Sequence, residues 1–372
     1  MTSWSGRATP GRFRSEARFP ERFQALVQVF DGHNDVLLRL WGKKAGDPVA
    51  AFLNGDGEGH LDLPRMIRGG FAGGFFAIFV PSPQDEDFAD DEDANPPASH
   101  EVGQFAALSA TVSMAALLFR IEERSEGRFK VCRTAAELRA AMAEGKIAAI
   151  LHIEGAEAID PDLRALDVLH KAGLRSLGLV WSRDNAFGHG VPFRFPSSPD
   201  TGPGLTEAGK ALVRRCNELK IMLDVSHLNE KGFWDVARHS TAPIVATHSN
   251  AHALSASSRN LTDDQIRIIG KSGGMIGLNF ANGFLRADGR WQSENGLDTM
   301  LRHLDHLMKL AGEDHVGLGS DFDGARIPSQ IGDVSGLPRL AQAMEAHGYG
   351  AELTKKICSE NWLKVLERTW GE

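Results

Sequence analysis

Apolar residues in this chain gather into short continuous runs, separated by longer stretches where they recur every three or four positions. The runs at 25–30, 74–80, 147–153, 176–181, 221–225, 244–247, 275–280 and 315–319 read as strands buried on both faces. The stretches at 103–123, 135–144, 163–172, 206–219, 262–272 and 297–310 read as amphipathic helices. Two helix starts carry local signals. Leu205-Thr206-Glu207 opens one, and Thr262 with Gln265 three residues later has the form of a capping box. Strand and helix alternate through about eight units, which predicts an α/β fold closing as a single (β/α)₈ barrel of the TIM type. A length of 372 residues fits one such domain, since α/β barrels span roughly 200 to more than 400 residues. The reading divides the chain into a loose N-terminal arm at 1–20, rich in Arg, Gly and Pro, and a barrel domain at 21–372.

Two further segments depart from a minimal barrel. Residues 84–97 carry a dense acidic run, whose plain reading is a solvated loop. Residues 186–203 form a Gly/Pro/Ser-rich loop after the fourth predicted strand, where barrel loops shape active sites. Composition narrows the partners. A net charge of −8 and dispersed arginines argue against a nucleic-acid surface. No run approaches the roughly 20 uninterrupted apolar residues of a membrane span, and no signal-peptide or lipid-anchor pattern is read, so the expectation is a cytoplasmic protein without a membrane anchor, with a homodimer open. Cys132, Cys216 and Cys358 are odd in number and lack metal-motif spacing, which predicts buried thiols and no disulfide framework.

Catalytic groups of such barrels stand where strands end. The first predicted strand is followed by Asp31-Gly32-His33-Asn34-Asp35; in extended backbone His33 and Asp35 point the same way and reach one cation. The third ends in Leu151-His152-Ile153-Glu154-Gly155. A carboxylate there needs a metal or a basic partner, and His152, one layer deeper, reads as a supporting histidine or a ligand. The fifth ends at His227, the sixth at His248, and the eighth at Gly319-Ser320-Asp321-Phe322-Asp323-Gly324. Imidazoles and carboxylates, with no nearby thiol, suit zinc, with manganese or cobalt as substitutes. His33, Asp35, His227 and His248 would hold two zinc ions with Glu154 between them, leaving Asp321 to accept the proton of a bridging water.

At these residues the chain resembles the membrane (renal) dipeptidase family, zinc peptidases of the amidohydrolase-like barrels, and within it the bacterial members. The motifs are Asp31-Gly32-His33-Asn34-Asp35, Glu154-Gly155, Asp224-Val225-Ser226-His227, Thr247-His248-Ser249-Asn250, Ser258-Arg259-Asn260 and Gly319-Ser320-Asp321-Phe322-Asp323-Gly324. The resemblance implies a metal-dependent dipeptidase acting on short L-Xaa-Xaa dipeptides. It implies His33 and Asp35 on one zinc, His227 and His248 on the other, Glu154 bridging, Asp321 transferring the proton and Arg259 binding the substrate carboxylate. One position departs. Trp181 stands where better-known members carry a histidine that polarises the scissile carbonyl, and indole cannot exchange a proton as imidazole does. Asn185 and His189 in the following loop are candidate substrate-binding replacements; otherwise the metal alone polarises the carbonyl. Two other readings stay open at this level: a binuclear amidohydrolase for another amide, such as an N-acyl amino acid or a β-lactam-like ring, and a catalytically inactive barrel.

Overall fold

The computed structural model describes residues 27–82, 99–291 and 295–371. The predicted arm at 1–20 and the acidic run at 84–97 lie outside the described residues. Among the described residues there are nine parallel strands: β1 (Val29–Asn34), β2 (Phe71–Phe79), β3 (Phe129–Val131), β4 (Ile147–Glu154), β5 (Leu174–Gly178), β6 (Met222–Asp224), β7 (Val245–Ala246), β8 (Met275–Asn279) and β9 (Val316–Gly319). Because β1 pairs with both β2 and β9, and β2 also pairs with β4, eight of them close into a barrel. The ninth, β3, pairs only with 147–149 at the start of β4, on the edge that β5 occupies higher up. Three residues carry no readable period, which is why β3 was invisible in the sequence.

Strand β4 sets the plan of the interior. Ile147, Ala149, Leu151 and Ile153 join the outer core under the helices, while Ala148 and Ile150 join a separate inner cluster. His152 and Glu154 continue the inward face, so the barrel turns from apolar to polar toward the strand C-termini. Strand β1 begins four residues later than predicted. The apolar run marked its approach, whereas the polar half, Asp31 to Asn34, belongs to the strand and is fully buried. A register shift against β2 between Asp31 and Asn34 lets odd-numbered His33 face inward on the same strand as even-numbered Phe30.

The opposite end of the barrel is sealed by the helix Asn361–Trp370. Trp362 enters between β1, β8 and β9 and donates from Nε1 to the Leu318 carbonyl at 2.9 Å. A Cβ at Gly32, Gly277 or Gly317 would come within 2.5, 3.1 and 2.8 Å of the indole, so these three glycines form its slot.

The six predicted helices are present within one or two residues, and Thr262 and Gln265 close the capping box. Among those not predicted are Glu230–His239 and Leu337–His347. Helix Gln104–Arg124, though not an uninterrupted apolar run, is long and apolar enough to cross a membrane by length and composition. Ala107, Met114, Leu118 and Ile121 nevertheless belong to the barrel's outer core, and Phe105 is 86% exposed. All three cysteines are free and buried.

Candidate active site

At the C-terminal mouth, residues far apart in sequence converge on the Oε1 atom of Glu154. His227 Nε2 lies 2.8 Å from it, His248 Nε2 3.2 Å and His33 Nε2 3.7 Å. Asp35 Oδ2 is 3.3 Å from His33 Nε2, and the rings of His33 and His248 stack at 3.9 Å. All five side chains are buried. The Nε2 atoms of His227 and His248 are 3.1 Å apart. Two neutral imidazoles that present lone pairs to one carboxylate oxygen repel unless a cation or a proton lies between them.

Polar neighbours fix the direction in which these rings point. Ser182 Oγ meets His227 Nδ1 at 2.7 Å, and Thr247 Oγ1 meets His248 Nδ1 at 2.8 Å. In both, Nε2 is left for the centre, the arrangement seen where histidines bind metal. Thr247 in turn donates to Asp224, which also accepts from Ser226. Although burial raises the Asp224 carboxyl, His152 and these hydrogen bonds hold it below its ordinary value. His152 bonds to Ser176 Oγ through Nδ1 at 2.9 Å and packs edge-on against His33, beneath the converging atoms.

The donor set fits metal. His33 Nδ1 and Nε2, Asp35 Oδ1 and Glu154 Oε1 are buried without a hydrogen-bond partner, an expensive arrangement unless a cation satisfies them. His33, Glu154 and His248 form one group able to hold an ion, and His33, Asp35 and Asp321 another. Burial, with Arg259 and His33 nearby, keeps His227 and His248 well below the usual imidazole range, so both are neutral and competent to ligate. Burial, with Asp35 and Asp321 adding to it, pushes Glu154 up to about 8. Against its own burial, His33 is raised to about 10 by the Glu154 and Asp35 carboxylates. This is the response of excess buried negative charge that calls for positive charge.

Asp321 faces this centre from the turn after β9, in the left-handed region at φ 61°. Its amide donates to the His33 carbonyl at 3.0 Å, and Asn279 Nδ2 at the end of β8 donates to its Oδ2 at 2.9 Å. Burial raises its carboxyl, which suits a group that takes up a proton. Gly324 closes the turn, and a Cβ there would lie 2.1 Å from Asp35 Oδ2 and 2.7 Å from Asp321 Oδ1. Behind it, Asp323 accepts from Arg39 Nε at 3.1 Å and from the His60 backbone.

Arg259 is buried beside His227 and His248. Its Nη1 donates to Ser249 Oγ at 3.0 Å, its Nη2 lies 3.0 Å from His227 Nε2, and its Nε has no partner. Asn185 and His189 stand apart from this group. The Asn185 side chain donates to the Leu179 carbonyl and accepts from the Phe187 amide, so it organises its own loop, and His189 pairs with Asp184 at 2.9 Å. Ser182, Asn279 and Thr247 went unnoticed in the sequence as functional groups. The only available signal was a polar residue inside or just beyond an apolar run.

A parallel barrel with buried histidines and carboxylates converging at its C-terminal mouth defines a metal-dependent hydrolase of the amidohydrolase-like kind. Comparison with known proteins carries the assignment to a particular lineage: the chain belongs to the membrane dipeptidase family, peptidase family M19, which it matches over residues 17–370. It is 60% identical to a metallo peptidase from Rhodobacter sphaeroides whose crystal structure holds a phosphinate mimic of the dipeptide L-Ala-D-Ala. The two superpose with a TM-score of 0.90, covering 93% of this chain and 100% of that one. The dipeptidase AC, also a family M19 metallo peptidase, is 60% identical with a TM-score of 0.89 over the same shares. An uncharacterised Klebsiella pneumoniae protein from the pqqA 5' region is 51% identical over 257 residues, 69% of this chain and 95% of that protein. The protein is thus an enzyme of the metallo dipeptidase class.

Proposed function

We propose that this enzyme hydrolyses dipeptides with two zinc ions, one held by His33 and Asp35, the other by His227 and His248, with Glu154 shared between them. A hydroxide bridging the two ions would be the nucleophile, since paired cations lower the pKa of bound water. The observation that carries the reading is the convergence of three imidazole Nε2 atoms on Glu154 Oε1 within 3.7 Å, with partnerless buried donor atoms around it. Arg259 receives the substrate's terminal carboxylate, for which its planar fork and permanent charge are suited. Asp321, turned toward the same centre and held by Asn279, takes the nucleophile's proton and hands it to the departing amine. The Rhodobacter relative with its L-Ala-D-Ala mimic supports acceptance of a D-residue on the carboxyl side.

The test is elemental analysis of the purified protein together with hydrolysis of L-Ala-L-Ala and L-Ala-D-Ala before and after chelation. Two zinc ions per chain and chelator-sensitive turnover of both are expected. Two zinc ions without turnover of either peptide would move the substrate to another amide. Protein never exposed to chelator that carries no metal would sink the ligand assignment.

A further inference from the structure

Beside the metal-binding donors runs a wall of aromatic rings drawn from separate parts of the chain. Phe79 ends β2, in register with Glu154 on β4. Its ring lies 4.8 Å from Trp181, which lies 5.4 Å from Phe193 in the long loop, and Phe193 lies 5.7 Å from Phe284. Two of these rings reach His227, Trp181 at 5.7 Å and 30°, and Phe193 at 6.4 Å. Phe79, Trp181 and Phe193 are each only half-buried. Ring surface is therefore left open at the mouth, next to the donors. Exposed apolar surface inside a cleft is the usual sign of a ligand contact.

The wall is rigid because a buried ion pair braces it. Arg183 Nε donates to Glu157 Oε1 at 2.9 Å and its Nη2 to the Val80 carbonyl at 2.6 Å. The guanidinium lies over both Phe79 and Trp181, 5.2 and 5.4 Å from their ring centres. The next residue after Trp181 is Ser182, bonded to His227, so the ring is tied at one side to the donor cluster and at the other to a fixed cation.

We propose that Phe79 and Trp181, closed off by Phe193, form a subsite for an apolar side chain on the amino-terminal residue of the dipeptide, with Trp181 as the specificity-determining residue. The inference rests on the dipeptidase reading, which supplies the direction. Arg259 takes the carboxylate, and its guanidinium carbon lies 5.6 Å from the Phe284 ring. His227 stands between Arg259 and Trp181, in contact with each. A dipeptide with its carboxylate on Arg259 and its amide at Glu154 therefore projects its amino-terminal residue onward to Phe79 and Trp181. Those rings offer no proton acceptor and reward apolar area.

The experiment compares kcat/KM of the zinc-loaded full chain on Gly-Ala and Leu-Ala, with Ala-Gly and Ala-Leu as controls. The wild type is expected to favour Leu-Ala over Gly-Ala by about tenfold, the range a few methylene groups provide in an apolar pocket. Trp181→Ala should bring that ratio close to one, chiefly through KM for Leu-Ala, while the ratio for Ala-Leu over Ala-Gly stays within about twofold; Trp181→Phe should restore most of the preference. A wild-type ratio near one overturns the subsite, as does a Trp181→Ala variant that loses all four peptides equally, because that pattern belongs to a merely structural ring. Turnover of no dipeptide at all overturns the dipeptidase reading and the subsite with it, whereas turnover without side-chain discrimination overturns the subsite alone.

Discussion

Gly324 and Asp321 show how little slack the centre has. With Asp35 Oδ2 only 2.1 Å from a virtual Cβ at 324, an alanine there must push aside a metal-ligand candidate and the proton-transfer candidate together. Gly324→Ala is expected to cut kcat/KM by about a hundredfold or more, since misplacement of about 1 Å costs that much in a preorganised site. Elemental analysis of the same variant should show reduced metal content. Asp321→Asn is the complement. It keeps the shape of the turn and touches no proposed ligand bond, so metal content should stay at the wild-type level while kcat falls by a factor on the order of 10²–10⁴, the usual contribution of a positioned proton-transfer group. Full activity in Asp321→Asn would remove it from the mechanism. The Asn279 amide holds Asp321 Oδ2 at 2.9 Å, and Asn279→Ala should give a smaller loss, about tenfold, confined to kcat.

At the level of elements, what was legible followed from local pattern. His227, His248 and Glu154 stand at or just after apolar runs, and a costly polar group at the end of a buried strand is visible without a structure. The helix from Asp263 was equally plain, since its capping box is written in four residues. Thr262→Ala should lower stability by about 1 kcal/mol, read as a drop in melting temperature with activity intact. Strand β1 is displaced from the predicted run because its second half is polar; Asp31, for instance, is buried with Ser320 on the neighbouring strand end donating to it through both its amide and its hydroxyl. Such pairings join positions nearly 300 residues apart, so no window of sequence contains them. Asn279 on Asp321 and Ser182 on His227 pair across 42 and 45 residues and are hidden for the same reason. Asn185 and His189 differ: their partners lie within a few residues, but which ones they take is set by how the loop folds back on itself.

For the whole molecule, the concentration of buried charge ties stability to metal and to pH. In metal-stripped protein the folded state holds a proton on His33, raised from 6.5 to about 10, and on Glu154, raised from 4.5 to about 8, that the unfolded chain gives up at lower pH. Folded pKa values above unfolded ones mean stability present at low pH and lost as pH climbs through the folded values. His227 and His248 are shifted the other way, so their contribution is complete above about pH 6.5 and does not offset the loss. The stripped protein is therefore expected to lose melting temperature steadily between pH 7 and 10. Bound metal would take the place of those protons, so the gap between loaded and stripped melting temperatures should widen over the same interval. A gap that narrows toward high pH would contradict the charge assignment.

The tryptophan lodged among Gly32, Gly277 and Gly317 also dictates an order of events during synthesis. Its slot is built by strands from both ends of the chain, and its indole comes from one of the last helices to leave the ribosome. Until residue 362 emerges, a gap stands where its indole belongs beside the three glycines, and the barrel must wait, open at the base, for its plug. Trp362→Ala leaves that gap permanently, at a cost of about 3–5 kcal/mol. Its effect in a cell should appear as chain lost to proteolysis and aggregation, while the surviving folded fraction works normally at the mouth.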